Sequence, residues 1–257
     1  MAWDERQRRM LEAMGVRLWP QAEPEPEADV AAAAPVLPAQ PAASPRAPAI
    51  APATPRQLVT GPVATMDWPA LRAAVAACTA CSLCESRTQT VFGVGHQRAH
   101  WMIVGEAPGE QEDLRGEPFV GKAGQLLDNM LAAIGVSRQA AEGDDPARRV
   151  YIANVLKCRP PANRNPQPEE VARCAPFLQR QIELVQPRII LAMGRFAVES
   201  LLHTSDAIGK LRGRVHRVAG VPTIVSYHPA YLLRSPLEKA RAWDDLCLAL
   251  QTLGGAH

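Results

Sequence analysis

From Trp68 onward the chain alternates short apolar runs with longer segments whose apolar positions recur at helical spacing. The runs at 101–104, 150–155, 188–193 and 222–226 have the length and unbroken apolar character of strands buried on both faces, as in a parallel sheet. Helical periodicity covers 68–77, 124–134, 168–185, 197–202 and 239–253. This alternation predicts an α/β domain: a parallel sheet covered by helices on both faces, with ligands bound beyond the carboxyl ends of the strands. Each predicted strand runs directly into a loop of polar, glycine or proline residues. These are GEAPGEQED from Gly105 to Asp113, Asn154 with KCRPP, Gly194, and YHPAYLLR from Tyr227 to Arg234.

The pattern ahead of Trp68 is different. Met10, Leu11, Met14, Leu18 and Trp19 recur at near-helical spacing, which predicts a short amphipathic helix within residues 1–19, docked on a partner protein or on its own domain. Between Pro20 and Pro62 lie eleven of the 24 prolines, mixed with alanine runs and an acidic EPEPEAD stretch. Such a segment buries too little apolar surface to offset its ordering entropy, so residues 20–66 are expected to be a disordered linker and 67–257 the folded domain. Deleting 1–66 is expected to leave the chemistry intact, because no motif lies there.

Composition narrows the setting. A hydrophobic content of 47% suffices for a packed core, and no run of about 18 apolar residues and no secretory leader is present, so a cytoplasmic protein without membrane contact is expected. The net charge of +2 divides into −1 for residues 1–66 and +3 for the remainder, a slight lean toward a polyanionic partner.

Six cysteines change the picture more. Three of them fall in CTACSLC, and in a reducing compartment such spacing points to thiolate metal ligands rather than disulfides. Cys78 and Cys81 share one tight turn, Cys158 follows a strand and Cys174 sits in a helix. Four thiolates suit tetrahedral zinc or an iron-sulfur cubane equally well. Cys84 is a possible competing ligand, and Cys247, among leucines of the last helix, reads as core.

The order of motifs is itself informative: CTAC, RTQTVFGVG, MIVGEAPGEQED, GEPFVGKAGQLLD, YIANVLKCRPPANRNPQPEE with Cys174, ILAMGRFA, KLRGRVH and HPAYLLR. Over about residues 68–253 the chain resembles the family 4 uracil-DNA glycosylases, the iron-sulfur branch of that superfamily. The resemblance implies a three-layer α/β/α domain with a short, mostly four-stranded parallel sheet. It also implies one 4Fe-4S cluster on Cys78, Cys81, Cys158 and Cys174, a monomeric enzyme, and single- or double-stranded DNA containing uracil as substrate.

By that likeness Glu106 positions the attacking water and stabilises the cationic sugar, and His228 donates to uracil O2 as charge builds on the departing base. Asn154 pairs with O4 and N3–H, a pattern that cytosine cannot reproduce. Gly105 and Ala107 line the base pocket, Phe119 stacks on the base, and Glu112 crowds C5, where thymine carries its methyl group. Tyr231, Leu232 and Leu233 are expected to fill the gap left by a flipped base, with Arg234, Lys122 and Arg212 on phosphates. Arg164, Lys210 and Arg214 are further phosphate candidates in loops.

Two rival readings stay open at this level. One is a uracil-DNA binding or lesion-sensing protein that recognises the base without turnover; its covalently trapping form, which some relatives achieve through an inserted loop bearing a histidine, is disfavoured because the corresponding stretch KCRPPANRNP has none. A zinc-stabilised α/β protein unrelated to DNA would share the cysteines but not the ordered strand-end motifs.

Overall fold

The computed structural model describes Arg9, Met10, Ala13, residues 61–139 and residues 145–254. Six strands, β1 (Val94–Gly95), β2 (Trp101–Gly105), β3 (Val150–Asn154), β4 (Ile189–Met193), β5 (Val215–Val218) and β6 (Val221–Ser226), form one sheet in the order β1-β3-β2-β4-β6-β5. The four inner strands are mutually parallel, while β1 and β5 pair antiparallel at the two edges. Every residue of β2, β3 and β4 is buried, which is why their sequences are continuously apolar. The four parallel strands are those the apolar pattern predicts. The edge strands escape it because β1 has only two residues and β5 reads VHRV.

Nine helices are described between residues 61 and 254: α1 (Trp68–Ala76), α2 (Leu83–Ser86), α3 (Glu110–Arg115), α4 (Gly121–Ala133), α5 (Pro168–Val185), α6 (Arg195–Leu202), α7 (Ile208–Leu211), α8 (Pro229–Arg234) and α9 (Lys239–Gly254). The five longest correspond to the predicted ones. The other four, of six residues or fewer, are too short for a periodicity to register.

Alternation along the strands divides the core into two layers. Trp101, Ile103, Ile152 and Leu191 face α4 and α9, meeting Leu127, Met130, Trp243 and Leu246. Met102, Val104, Ala153 and Ile190 face α5 and α6, meeting Leu178, Ile182, Val198 and Leu201. The architecture is therefore three-layer α/β/α. Because β3 lies on one side of β2 and β4 on the other, the chain reverses its direction of winding between β2 and β4. A crevice opens outside the carboxyl ends of the strands at such a reversal.

Arg9, Met10 and Ala13 are helical, and Met10 is only 3% exposed, packed into the core layer of α4 and α9. The Pro/Ala-rich stretch 20–60 lies outside the described residues. Packing begins slightly before residue 67: Pro62–Thr65 form a 3-10 turn, Val63 and Met66 pack against Leu71, Val75 and Phe177, and Arg180 Nε donates to the Met66 carbonyl at 2.8 Å.

Candidate active site and cysteine pocket

The strand ends place Asn154 (β3), Gly105 with Glu106 (β2), Gly194 (β4) and His228 (after β6) side by side in the order of the sheet. Past the formal strands the β2–β3 ladder continues, with Val155 N donating to the Gly105 carbonyl and Leu156 N to that of Glu106, both at 3.0 Å. These bonds fix Glu106 relative to Asn154. One cavity touches Glu106, Glu112, Phe119, Asn154 and His228, with Ala107 in its wall. Six of the residues expected at a base pocket thus converge, drawn from four separate segments, while Gly105 lies behind Asn154 and Phe119 rather than in the wall.

Glycine makes the convergence possible. A Cβ on Gly105 would fall 2.4 Å from Asn154 Oδ1 and 2.5 Å from Phe119 Cζ. Phe119 itself has φ 54°, a left-handed conformation that a bulky residue adopts only when its surroundings impose it. Its carbonyl lies where a side chain on Gly124 would be, so only glycine at 124 lets α4 start beneath the loop. The ring then stacks on His228, with centroids 5.2 Å apart and planes 27° from parallel.

His228 caps α8. Its Nδ1 accepts from Ala230 N at 3.2 Å, and burial together with the Arg234 charge pulls its pKa down to about 4. The ring is neutral at pH 7, and with Nδ1 used as an acceptor its single proton resides on Nε2. Glu106 is pushed above the ordinary carboxyl range by burial, opposed by the Arg195 charge and reinforced by Glu199, which is ion-paired to Arg195 at 2.9 Å. Both oxygens of Glu112 are occupied, accepting from Gly109 N and Val120 N at 3.1 Å each, so this carboxylate clamps the loops on either side of α3 while lining the cavity.

The outer rim is where the local pattern misleads. Leu232 is fully buried in the core layer under α4 and α9 and has no surface to offer DNA, because the six-residue helix α8 turns it inward. Arg212 is likewise spent elsewhere: Nε and Nη2 engage both oxygens of Asp245 at 2.8 and 2.9 Å, and the guanidinium lies 4.8 Å from the Tyr227 ring. Tyr231, Leu233, Arg234 and Lys122 are exposed. Pro160, Asn163 and Arg164 also line the cavity, and Ala162 and Asn163 both take left-handed φ values near 53–54°. Periodicity carries no signal for that loop beyond the run of prolines and asparagines.

Cys78, Cys81, Cys84, Cys158 and Cys174 border a second, small cavity between α1, α2, the loop after β3 and α5, walled by Leu83, Leu156 and Phe177. Arg87 Nη1 donates to Cys158 Sγ at 3.0 Å and Lys157 N to Cys174 Sγ at 3.3 Å. Burial raises both thiols, Cys174 to about 12. Among the described residues no three His, Cys, Asp or Glu side chains are close enough to share one metal ion. Five cysteine sulfurs around one small cavity are a donor set that fits a thiolate-held metal centre. Cys247 packs in the core layer beside α9, as its leucine neighbours suggest.

Comparison with known proteins places this geometry. The Uracil DNA glycosylase superfamily model matches residues 92–247. A type-4 uracil-DNA glycosylase of Archaeoglobus fulgidus is 45% identical over 170 residues, 63% of this chain and 81% of the relative. The chain belongs to the type-4 uracil-DNA glycosylases. Another member, from Thermotoga maritima, is 43% identical over 166 residues, 64% of this chain and 82% of the relative. A type-5 uracil-DNA glycosylase of Pyrobaculum aerophilum is 38% identical over 147 residues, 54% and 64% of the two chains. This glycosylase has no helix, among its described residues, long and apolar enough to cross a membrane.

Proposed function

We propose that this chain hydrolyses the N-glycosidic bond of uracil in DNA at the cavity beyond β2, β3 and β6, leaving an abasic site. The observation that carries the residue assignment is the convergence of Glu106, Asn154 and His228, with Phe119, on that one cavity. As the bond to the sugar breaks, positive charge develops on the sugar and negative charge on the base. Glu106 supplies an anion and a water-orienting oxygen on the sugar side. Neutral His228 donates from Nε2 toward O2, and a preorganised neutral donor stabilises the departing anion without first losing a proton to bulk water. Asn154 reads O4 and N3–H, Ala107 brings backbone close to the base, and Phe119 offers its ring. Glu112, held by two backbone N–H groups, occupies the wall where a C5 methyl group would point.

Exposed Tyr231 and Leu233 at α8 would fill the space of the flipped nucleotide, with Arg234 and Lys122 on flanking phosphates. Cys78, Cys81, Cys158 and Cys174 would hold one 4Fe-4S cluster, which supplies a charged, cross-linking centre between the segment after α1, the loop after β3 and α5. Cys84 borders the same cavity but is not needed for four ligands. The folded unit is residues 61–254 joined by the Met10 segment, acting as a monomer in the cytoplasm.

Anaerobic purification followed by iron and zinc analysis, and excision assays on U:G, U:A and single-stranded oligonucleotides, test this reading. Iron-containing protein that releases uracil is expected. Zinc without iron would overturn the cluster assignment, and no uracil release from any substrate would overturn the activity.

A further inference from the structure

Lys157 stands between the two sites. It follows Asn154 by three residues and precedes Cys158 by one, and its side chain is only 1% exposed. Nζ donates to the Asn154 carbonyl and to Gln181 Oε1, each at 2.7 Å. Gln181 is fully buried as well and donates in turn to the Phe92 carbonyl at 2.8 Å and to the Tyr151 hydroxyl at 3.1 Å. The backbone N of Lys157 meets Cys174 Sγ. A buried ammonium is costly unless opposite charge is near, and its two hydrogen-bond acceptors here are neutral oxygens.

We propose that Lys157 is a positioning residue for uracil recognition: anchored by Gln181 and joined through its backbone N to Cys174 Sγ, it holds the Asn154 carbonyl and, together with the Val155–Gly105 bond, the peptide plane that aims the Asn154 amide into the base pocket. Asn154 is the last residue of β3, and the peptide that follows it is held from both ends: Val155 N donates to the Gly105 carbonyl at 3.0 Å, and the Asn154 carbonyl accepts from Lys157 Nζ. The cluster then does more than cross-link the chain; through Lys157 it sets the geometry of base reading. The inference rests on the assignments of Asn154 to uracil and of the four cysteines to a cluster.

The test uses the full chain, purified anaerobically, carrying Lys157→Met, which keeps the length and removes charge and donors. Two oligonucleotides serve as substrates, one with uracil and one with pyrimidin-2-one, a base that offers neither O4 nor N3–H to Asn154. K157M is expected to retain iron, to show a cluster reduction potential shifted negative by loss of the adjacent cation, and to lose about tenfold in kcat on uracil, as a sub-ångström misplacement entails. On pyrimidin-2-one it should match the unaltered protein. Equal activity on uracil, or an equal loss on both bases, overturns the proposal. If K157M fails to fold, Gln181→Met, which loosens the second anchor of Lys157, should give a smaller loss confined to uracil, and a uniform loss overturns the proposal. Asn154→Ala separates the premises: if it keeps the preference for uracil over pyrimidin-2-one, the assignment of Asn154 fails, whereas loss of that preference in N154A but not in K157M defeats the positioning role alone.

Discussion

Replacing Gly105 by alanine adds one methyl group against Asn154 and Phe119, both of which line the pocket. The new carbon would lie 2.4 Å from Asn154 Oδ1 and 2.5 Å from Phe119 Cζ, where ordinary contacts begin at 3.4 Å. Either the amide or the ring must therefore move by about 1 Å, and with Asn154 only 2% and Phe119 5% exposed the movement goes into the pocket they line. A shift of about 1 Å in a reacting constellation costs on the order of 100-fold in rate. Overpacking at a buried site costs about 1–3 kcal/mol in stability. G105A should thus remain folded, melt somewhat lower and excise uracil about 100-fold more slowly in single-turnover assays. Gly209 in α7 has no heavy atom within 4 Å of an added Cβ, so G209A provides a control expected to leave the rate unchanged. Excision by G105A at the unaltered rate would refute the claim that Asn154 and Phe119 wall the base pocket.

Further outcomes follow from the same geometry. Arg212→Ala should leave Asp245 buried without its partner and cost about 3–5 kcal/mol; the reading predicts a lower melting temperature with the salt dependence of DNA binding unchanged, and a shallower salt slope would return Arg212 to the phosphate contacts. Met10→Ala opens a cavity in the layer of α4 and α9 and should cost about 2–5 kcal/mol by denaturant titration, with the excision rate preserved; an unchanged unfolding midpoint would mean that the N-terminal segment is not docked. His228, with its pKa lowered to about 4, binds its proton later in the folded than in the unfolded state, so stability should fall as pH drops from about 6.5 toward 4, by on the order of 3 kcal/mol at most. His228→Asn should remove that part of the acid dependence, and an identical pH profile would contradict the burial argument.

The parallel strands were legible because burial on both faces forces continuous apolar sequence; the candidate site residues were named by the family resemblance, which their places at strand ends support. Glu106, Asn154 and His228 each follow an apolar run directly. What local pattern could not show were pairings between distant segments. Arg212 in KLRGRVH reads as a free basic loop until Asp245, 33 residues on, closes over it. Leu232 reads as an exposed wedge residue until a helix of six residues rotates it inward and leaves Leu233 outside. Lys157 reads as one more cation beside a cysteine, and only the buried chain through Gln181 reveals its place. The cysteines were visible as candidate thiolate ligands, but their spacing in sequence left zinc and iron-sulfur equal, and only the family resemblance points to the cluster.

Glu106 and His228 facing one cavity from β2 and β6 is the center of the account, and single-turnover excision of uracil by Glu106→Gln, His228→Gln and the double variant probes it most directly. A positioned acid or base contributes about 10²–10⁴-fold, so each single change should slow excision by at least about 100-fold while the melting temperature holds. The double variant should lose less than the product of the two, because both act on one transition state. Excision at the unaltered rate by both single variants would contradict the account.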